Sequence, residues 1–201
     1  MKEQQFIETL HIEEGKFTHP EFHQRRMEKT TEEIFGKAWS IKFDSIEIPD
    51  QYRKGVVKCR VIYDRTIQEI TFEPYTPRII HTLRLVDADP HLDYHLKYAD
   101  RQHLQELRAQ RQSADEIIIV RNGAITDTSY SNLVFFDGQN YITPDTYLLN
   151  GTSRQRLLHE GRIRAEHLTP DDLSRFKYAI LINAMLSLEE NIAVPIERIV
   201  R

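Results

Sequence analysis

A chain of 201 residues, 40% hydrophobic and 29% charged, has the composition of an ordinary globular protein and is long enough for one substantial core or two small ones. Its net charge of −4, with Lys and Arg scattered among Asp and Glu, argues against a nucleic-acid partner or an anionic membrane surface, and no stretch approaches the ~20 apolar residues of a membrane span. The only cysteine, Cys59, excludes an intramolecular disulfide and a thiolate metal cluster, and without a signal-like apolar run at the N-terminus a cytoplasmic protein is expected.

In chain order, residues 5–11 are strand-like and lead to a turn at Gly15. Thr18, His19 and Pro20 start a helix that runs to about Phe35, with the proline in the first turn where its missing N–H does least harm. Phe22, Met27, Thr30 and Ile34 fall on one arc of that helix, and Arg26 falls inside the arc. An arginine facing a core needs an anion or an acidic partner, unless its stem packs while its head reaches water.

The stretch from Ser40 to Val86 is mainly β in pattern. Val57, Cys59, Val61 and Tyr63 alternate on one face, Asp64 and Arg65 offer a turn before the run from Ile67 to Phe72, and Pro74 and Pro77 then interrupt pairing before a further extended run to Val86. Asp87, Ala88, Asp89 and Pro90 read as a connection. The expected organisation is therefore a small α+β domain over 1–86, a junction at 87–90 and a larger domain over 91–201.

Beyond the junction, Asp100 can cap a helix holding Leu104 and Leu107, which sets Lys97 just before a positive helix end. Burial and that helix end would favour the neutral amine, the form that does imine chemistry. Residues 116–154 organise the second half of the chain. Apolar runs broken at Asn122-Gly123 and Asp137-Gly138 read as short buried strands joined by tight turns. Asn150, Gly151, Thr152 and Ser153 then precede a Leu-rich helical pattern, an arrangement that presents backbone N–H groups to an anion. With the carboxylate of Asp127 between turn and helix start, this half suits a ligand with a basic end and a phosphate end. Thr169 and Asp172 mark another helix start, and the runs from Tyr178 to Leu186 and IAVPIERIV read as core strands, or as strand and short helix. The nine histidines form no ligand motif such as His-Glu-x-x-His, so no metal is expected.

Five segments in order carry a family resemblance: Phe6-Ile7-Glu8-Thr9; His23-Gln24-Arg25-Arg26-Met27; His95-Leu96-Lys97-Tyr98-Ala99-Asp100-Arg101; the run from Thr126 to Phe135; and Gly151-Thr152-Ser153-Arg154, followed by Ile182-Asn183-Ala184. Together they resemble the fold-type IV pyridoxal-phosphate enzymes, the class IV aminotransferases, which include branched-chain and D-amino-acid aminotransferases and 4-amino-4-deoxychorismate lyase. The resemblance implies an α+β, two-domain, D-amino-acid aminotransferase-like fold with a shortened small domain, and pyridoxal 5'-phosphate as cofactor. It implies Lys97 as the Schiff-base lysine and proton carrier, Asp127 beside the ring nitrogen, and Arg26, Thr152 and Ser153 at the phosphate. Ser131 and Asn132 complete the cofactor-binding set.

The compact chain and the Lys97-to-Arg101 spacing lean toward a lyase of folate biosynthesis, similar to aminodeoxychorismate lyase, that releases pyruvate and 4-aminobenzoate. An aminotransferase of small branched-chain or D-amino acids is the alternative, and a cofactor-binding or catalytically degraded paralogue is the third reading. The family places its active site between two domains near a dimer contact, so a homodimer acting on a small amine substrate is implied. By the same resemblance Asp127 stands where the family usually has Glu and Thr128 where it has Gly, and the strands that precede the family's Phe-Glu-Thr segment are expected to be absent.

Overall fold

The first strand, β1 (Phe6–Glu13), is the backbone around which the N-terminal part of the chain is assembled. Phe6, Leu10 and Ile12 on it are fully buried. It turns at Gly15, which has the positive φ of 75° that favours glycine, into the short β2 (Lys16–Phe17). Helix α1 (Pro20–Phe35) follows with Pro20 in its first turn, and it ends on Gly36 in the left-handed region. Strands β3 (Val56–Tyr63) and β4 (Ile67–Pro74) complete a four-stranded sheet in the order β2-β1-β3-β4. The alternation read along β3 is observed: Val57, Cys59, Val61 and Tyr63 are buried and the residues between them half-buried. Burial pushes the Cys59 thiol up to about 12, so it stays protonated and inert as a nucleophile.

The computed structural model describes residues 3–189 and 192–201. It divides into two compact units, one of Met1–Pro77 with Leu96–Asp100, the other of Arg78–His95 with Arg101–Arg201. This differs from a single junction at 87–90, and strand pairing gives the reason. Strand β5 (Leu83–Asp87) hydrogen-bonds in parallel to β6 (Glu116–Arg121), so the chain from Arg78 onward is already part of the second unit. Residues Leu96–Asp100 then return to the first unit by adding to β1. Ile7 N–H donates to Lys97 O at 2.9 Å, Ala99 N–H to Gln5 O at 2.8 Å, and Phe6 bridges Tyr98.

The second unit holds α2 (Gln102–Ala109), β6, and β7 (Ala124–Ile125) behind the Asn122-Gly123 hairpin turn, where both residues have positive φ. β8 (Asn132–Phe136), β9 (Tyr141–Pro144), α3 (Thr152–His159) and β10 (Arg164–Glu166) follow, then β11 (Tyr178–Ile182), β12 (Ile192–Pro195) and β13 (Ile199–Val200). Two sheets result, ordered β13-β5-β6-β7 and β10-β9-β8-β11-β12. The expected start at Thr169 is present as a short 3₁₀ helix over Pro170–Arg175, with Thr169 N–H donating to Asp172 Oδ2 at 2.9 Å.

Two local expectations are corrected. Ile34 is 39% exposed: it shares the face of α1 that buries Phe22, His23, Arg26, Met27, Thr30 and Thr31, but it lies in the last turn, one residue before the helix ends at Phe35. The N-cap of α2 is Arg101 rather than Asp100, with no side-chain cap bond, because Asp100 belongs to the segment paired with the first unit. Among the described residues no helix is long and apolar enough to cross a membrane, and no group of three metal-ligating side chains converges.

Candidate active site

The sequence-predicted site residues divide between the units: Arg26 and Lys97 on the first, and Asp127, Ser131, Asn132, Thr152 and Ser153 on the second.

On the first unit, Arg26 faces inward from α1 and meets a carboxylate. Its Nε donates to Glu8 Oε1 at 2.8 Å and its Nη2 to Glu8 Oε2 at 2.5 Å. His23, one helical turn earlier, sets its Nδ1 2.6 Å from the same Oε2. All three side chains are buried, with Glu8 fully so. Burial alone would raise the Glu8 carboxyl, but the Arg26 charge and hydrogen bonds from Arg26 and His23 hold it down at about 2. Burial also lowers the His23 imidazolium below its ordinary value, with Glu8 opposing and Arg26 and Lys97 adding to the shift. His23 is thus a neutral imidazole at physiological pH, within electrostatic reach of Lys97. Lys97 is half-buried, and its main chain is fixed by the bond from Ile7. The inward arginine was legible in the sequence; its partner Glu8 was not singled out, although it sits in alternation with the buried Phe6, Leu10 and Ile12.

The sign of the Glu8 shift gives a pH prediction. Its folded value of about 2 lies below the ordinary 4.5, so the stability it contributes is fully present above pH 4.5 and is lost as the pH falls toward 2. The amount at stake is about 3 kcal/mol. Denaturant unfolding across this range should show an acid limb that Glu8→Gln flattens; an equally steep limb in the variant would remove Glu8 as its source.

On the second unit, Asp127 lies between β7 and β8, buried, with both oxygens engaged. Oδ1 accepts from Asn132 Nδ2 at 2.7 Å, and Oδ2 accepts the backbone N–H groups of Leu148 and Leu149 at 3.0 and 2.9 Å. Burial raises its carboxyl to about 6, and these three donors oppose the rise. Asn132 also donates to Leu149 O at 2.9 Å, and a Cβ on Gly151 would overlap its Oδ1. Glycine is therefore required where the loop passes this amide on its way into α3. One asparagine joins the carboxylate to the start of the helix.

Ser131 closes a tight turn with Thr128, whose Oγ1 lies 2.8 Å from Ser131 Oγ and accepts the N–H groups of Ser131 and Tyr130. The threonine in place of glycine is therefore the organiser of that turn. Thr152 and Ser153 are buried in the first turn of α3, where the intrahelical ladder begins only with Gln155 N–H to Gly151 O. Their hydroxyl and N–H groups suit an oxyanion. Arg154 does not add to that donor set as a phosphate fork. It donates to Pro144 O at 2.9 Å and Asn150 Oδ1 at 3.2 Å and stacks over Tyr147, bracing the loop before the helix.

The amino-transferase class IV family model matches residues 5–189. An uncharacterized protein from Haemophilus influenzae is 38% identical over 186 residues, spanning 90% of this chain and 98% of that protein. A crystal structure of a candidate 4-amino-4-deoxychorismate lyase from Haemophilus somnus is 35% identical with a TM-score of 0.83, covering 94% of this chain and all 100% of that one. The fold is shared with the PLP-bound form of a hypothetical aminotransferase from Mycobacterium tuberculosis, which is 17% identical with a TM-score of 0.71 and coverages of 97% and 81%.

Proposed function

We propose that this chain, which belongs to the amino-transferase class IV family and is a pyridoxal-phosphate-dependent enzyme, is a lyase that converts 4-amino-4-deoxychorismate to 4-aminobenzoate and pyruvate. The observation that carries the reading is the likeness to the Haemophilus somnus protein over nearly the full length of both chains, at 35% identity. The donor set fits the cofactor in kind: a buried carboxylate whose two oxygens are already oriented, a helix start with two buried hydroxyls, an inward arginine and a half-buried lysine. Pyridoxal phosphate, when bound, supplies an electron sink for the pair left on the amine-bearing carbon.

The chain's own residues supply the rest. Lys97 would be the amine that holds the cofactor, and its side chain would take the proton from the amine-bearing carbon of the substrate. As that proton leaves, the carbon–oxygen bond to the enolpyruvyl group breaks, the ring becomes aromatic, and the departing group takes up a proton to become pyruvate. Asp127 would favour the protonated ring nitrogen, and Arg26 from the first unit and Thr152 and Ser153 from the second would be the donors to the phosphate. Asn132 and Ser131 act on that site by orienting Asp127 and its turn.

Incubation of the loaded enzyme with aminodeoxychorismate alone should release pyruvate and 4-aminobenzoate in equal amounts with no keto-acid acceptor. Turnover only with small branched-chain or D-amino acids plus 2-oxoglutarate would replace the lyase by an aminotransferase, and no turnover in either assay would mark a degraded paralogue. The same reading expects a cytoplasmic homodimer, and sedimentation of the purified protein checks the dimer.

A further inference from the structure

The Glu8–His23–Arg26 cluster poses an energetic question. A buried ion pair costs more in desolvation than it returns in many proteins, and an apolar pair of similar volume would often serve the core as well. Here three polar side chains meet in one core, and Glu8 is fully buried. The geometry is specific. Glu8 takes two of the five donors of a guanidinium, through the Nε–Nη2 edge, and this sets both the plane and the direction of the Arg26 head. His23 anchors the Glu8 carboxylate in turn, at 2.6 Å from Oε2, and both helix residues come from adjacent turns of α1. Glu8 itself is locked by the β1 ladder, opposite Val61.

We propose that Glu8 is a positioning residue for anion binding: it fixes the Arg26 guanidinium in the orientation in which that arginine binds the cofactor phosphate, and His23 braces Glu8. The inference rests on the assignment of Arg26 to the phosphate under the proposed function. A guanidinium held before the ligand arrives does not lose its rotamer freedom on binding, so the contact is stronger than that of a mobile arginine. The charge of Glu8 works in the opposite direction, because a carboxylate beside the arginine repels a dianion. The two effects predict opposite results on substitution, and this makes the role testable.

Apo-protein titrated with pyridoxal phosphate and with pyridoxal, which lacks the phosphate, gives the readout as the ratio of the two affinities. Glu8→Gln, nearly isosteric but uncharged, should weaken pyridoxal-phosphate binding roughly tenfold and leave pyridoxal binding unchanged. Glu8→Asp, which keeps the charge but draws it back by one methylene, should weaken it similarly. Unchanged or tighter phosphate-dependent binding in Glu8→Gln, or wild-type behaviour in Glu8→Asp, would overturn the positioning role. If Glu8→Gln does not fold, as judged by circular dichroism, Glu8→Asp decides alone. Arg26→Gln separates the underlying assignment. A wild-type affinity ratio in that variant removes Arg26 from the phosphate, and the role of Glu8 with it. A collapsed ratio in Arg26→Gln beside a normal one in both Glu8 variants keeps the arginine and rejects the carboxylate.

Discussion

Lys97→Ala should abolish covalent retention of the cofactor and lower turnover by about 10⁴-fold or more, while the protein folds normally. The kinetic figure follows from removing one side chain proposed to serve as both the covalent anchor and the proton carrier; general acid–base function alone contributes about 10²–10⁴-fold. The fold should persist because the segment is held by its main chain. The bonds from Ile7 N–H to Lys97 O and from Ala99 N–H to Gln5 O do not depend on the lysine side chain. Borohydride treatment followed by mass spectrometry of the peptide containing residue 97 provides the direct check: a reduced cofactor adduct in the wild type and none in the variant. Persistence of the adduct in Lys97→Ala would assign the amine elsewhere. A second signal comes from His23. The Lys97 charge helps to depress its imidazolium, so the variant should show a His23 titration shifted upward.

The family was legible because an ordered series of short segments, each weak alone, runs from Phe6 to Ala184, and Lys97 is proposed from its place in that series. The hairpin at Asn122-Gly123 and the alternating face of β3 were legible for a more local reason, since turn chemistry and period-two burial are written in adjacent residues. Long-range pairing is of another kind. Nothing between His95 and Arg101 announces that Leu96–Asp100 will add to β1, and for this reason the chain crosses between units three times where one junction was expected.

Glu8 was hidden similarly. Its register with Phe6, Leu10 and Ile12 is inward, a position where a glutamate is costly, and only α1, reached 15 and 18 residues later at His23 and Arg26, makes its burial tolerable. The requirement for an acidic partner was visible at Arg26, and the partner was not. Ile34 illustrates the opposite error. Its spacing puts it on the buried arc with Met27 and Thr30, but it stands in the last turn before the helix ends at Phe35, and position along the helix rather than its face leaves it exposed.

The second large effect is expected at Asp127, where the shorter acid in place of glutamate has its compensation in the fold. The loop before α3 brings the N–H groups of Leu148 and Leu149 onto Oδ2, while Asn132 holds Oδ1, so the carboxylate is oriented from three directions. Asp127→Ala leaves those donors without their acceptor, each at a cost of about 1–3 kcal/mol less whatever a replacing water recovers. Destabilisation of about 2–5 kcal/mol is expected in denaturant unfolding of the apo-protein.

Its pH dependence has the opposite sign to that of Glu8. Burial raises the Asp127 carboxyl from 3.8 to about 6, so its contribution is fully present below pH 3.8 and is lost as the pH rises through 6. The penalty of the alanine variant should therefore be larger at pH 4 than at pH 7.5. Asp127→Asn is not a mild alternative, because its amide would turn a donor toward either Asn132 or the two backbone N–H groups.

In the loaded enzyme the loss should fall more on chemistry than on binding. Removing the proposed partner of the ring nitrogen would weaken the electron sink, and loss of an electrostatic partner of this kind costs turnover on the order of 10²–10³-fold. The phosphate donors proposed on α3, Thr152 and Ser153, are untouched by the substitution, so cofactor affinity should drop by about tenfold or less. Equal losses of turnover and affinity would reduce Asp127 to a structural brace for the 148–149 loop, and the carboxylate that favours the protonated ring would have to be sought elsewhere.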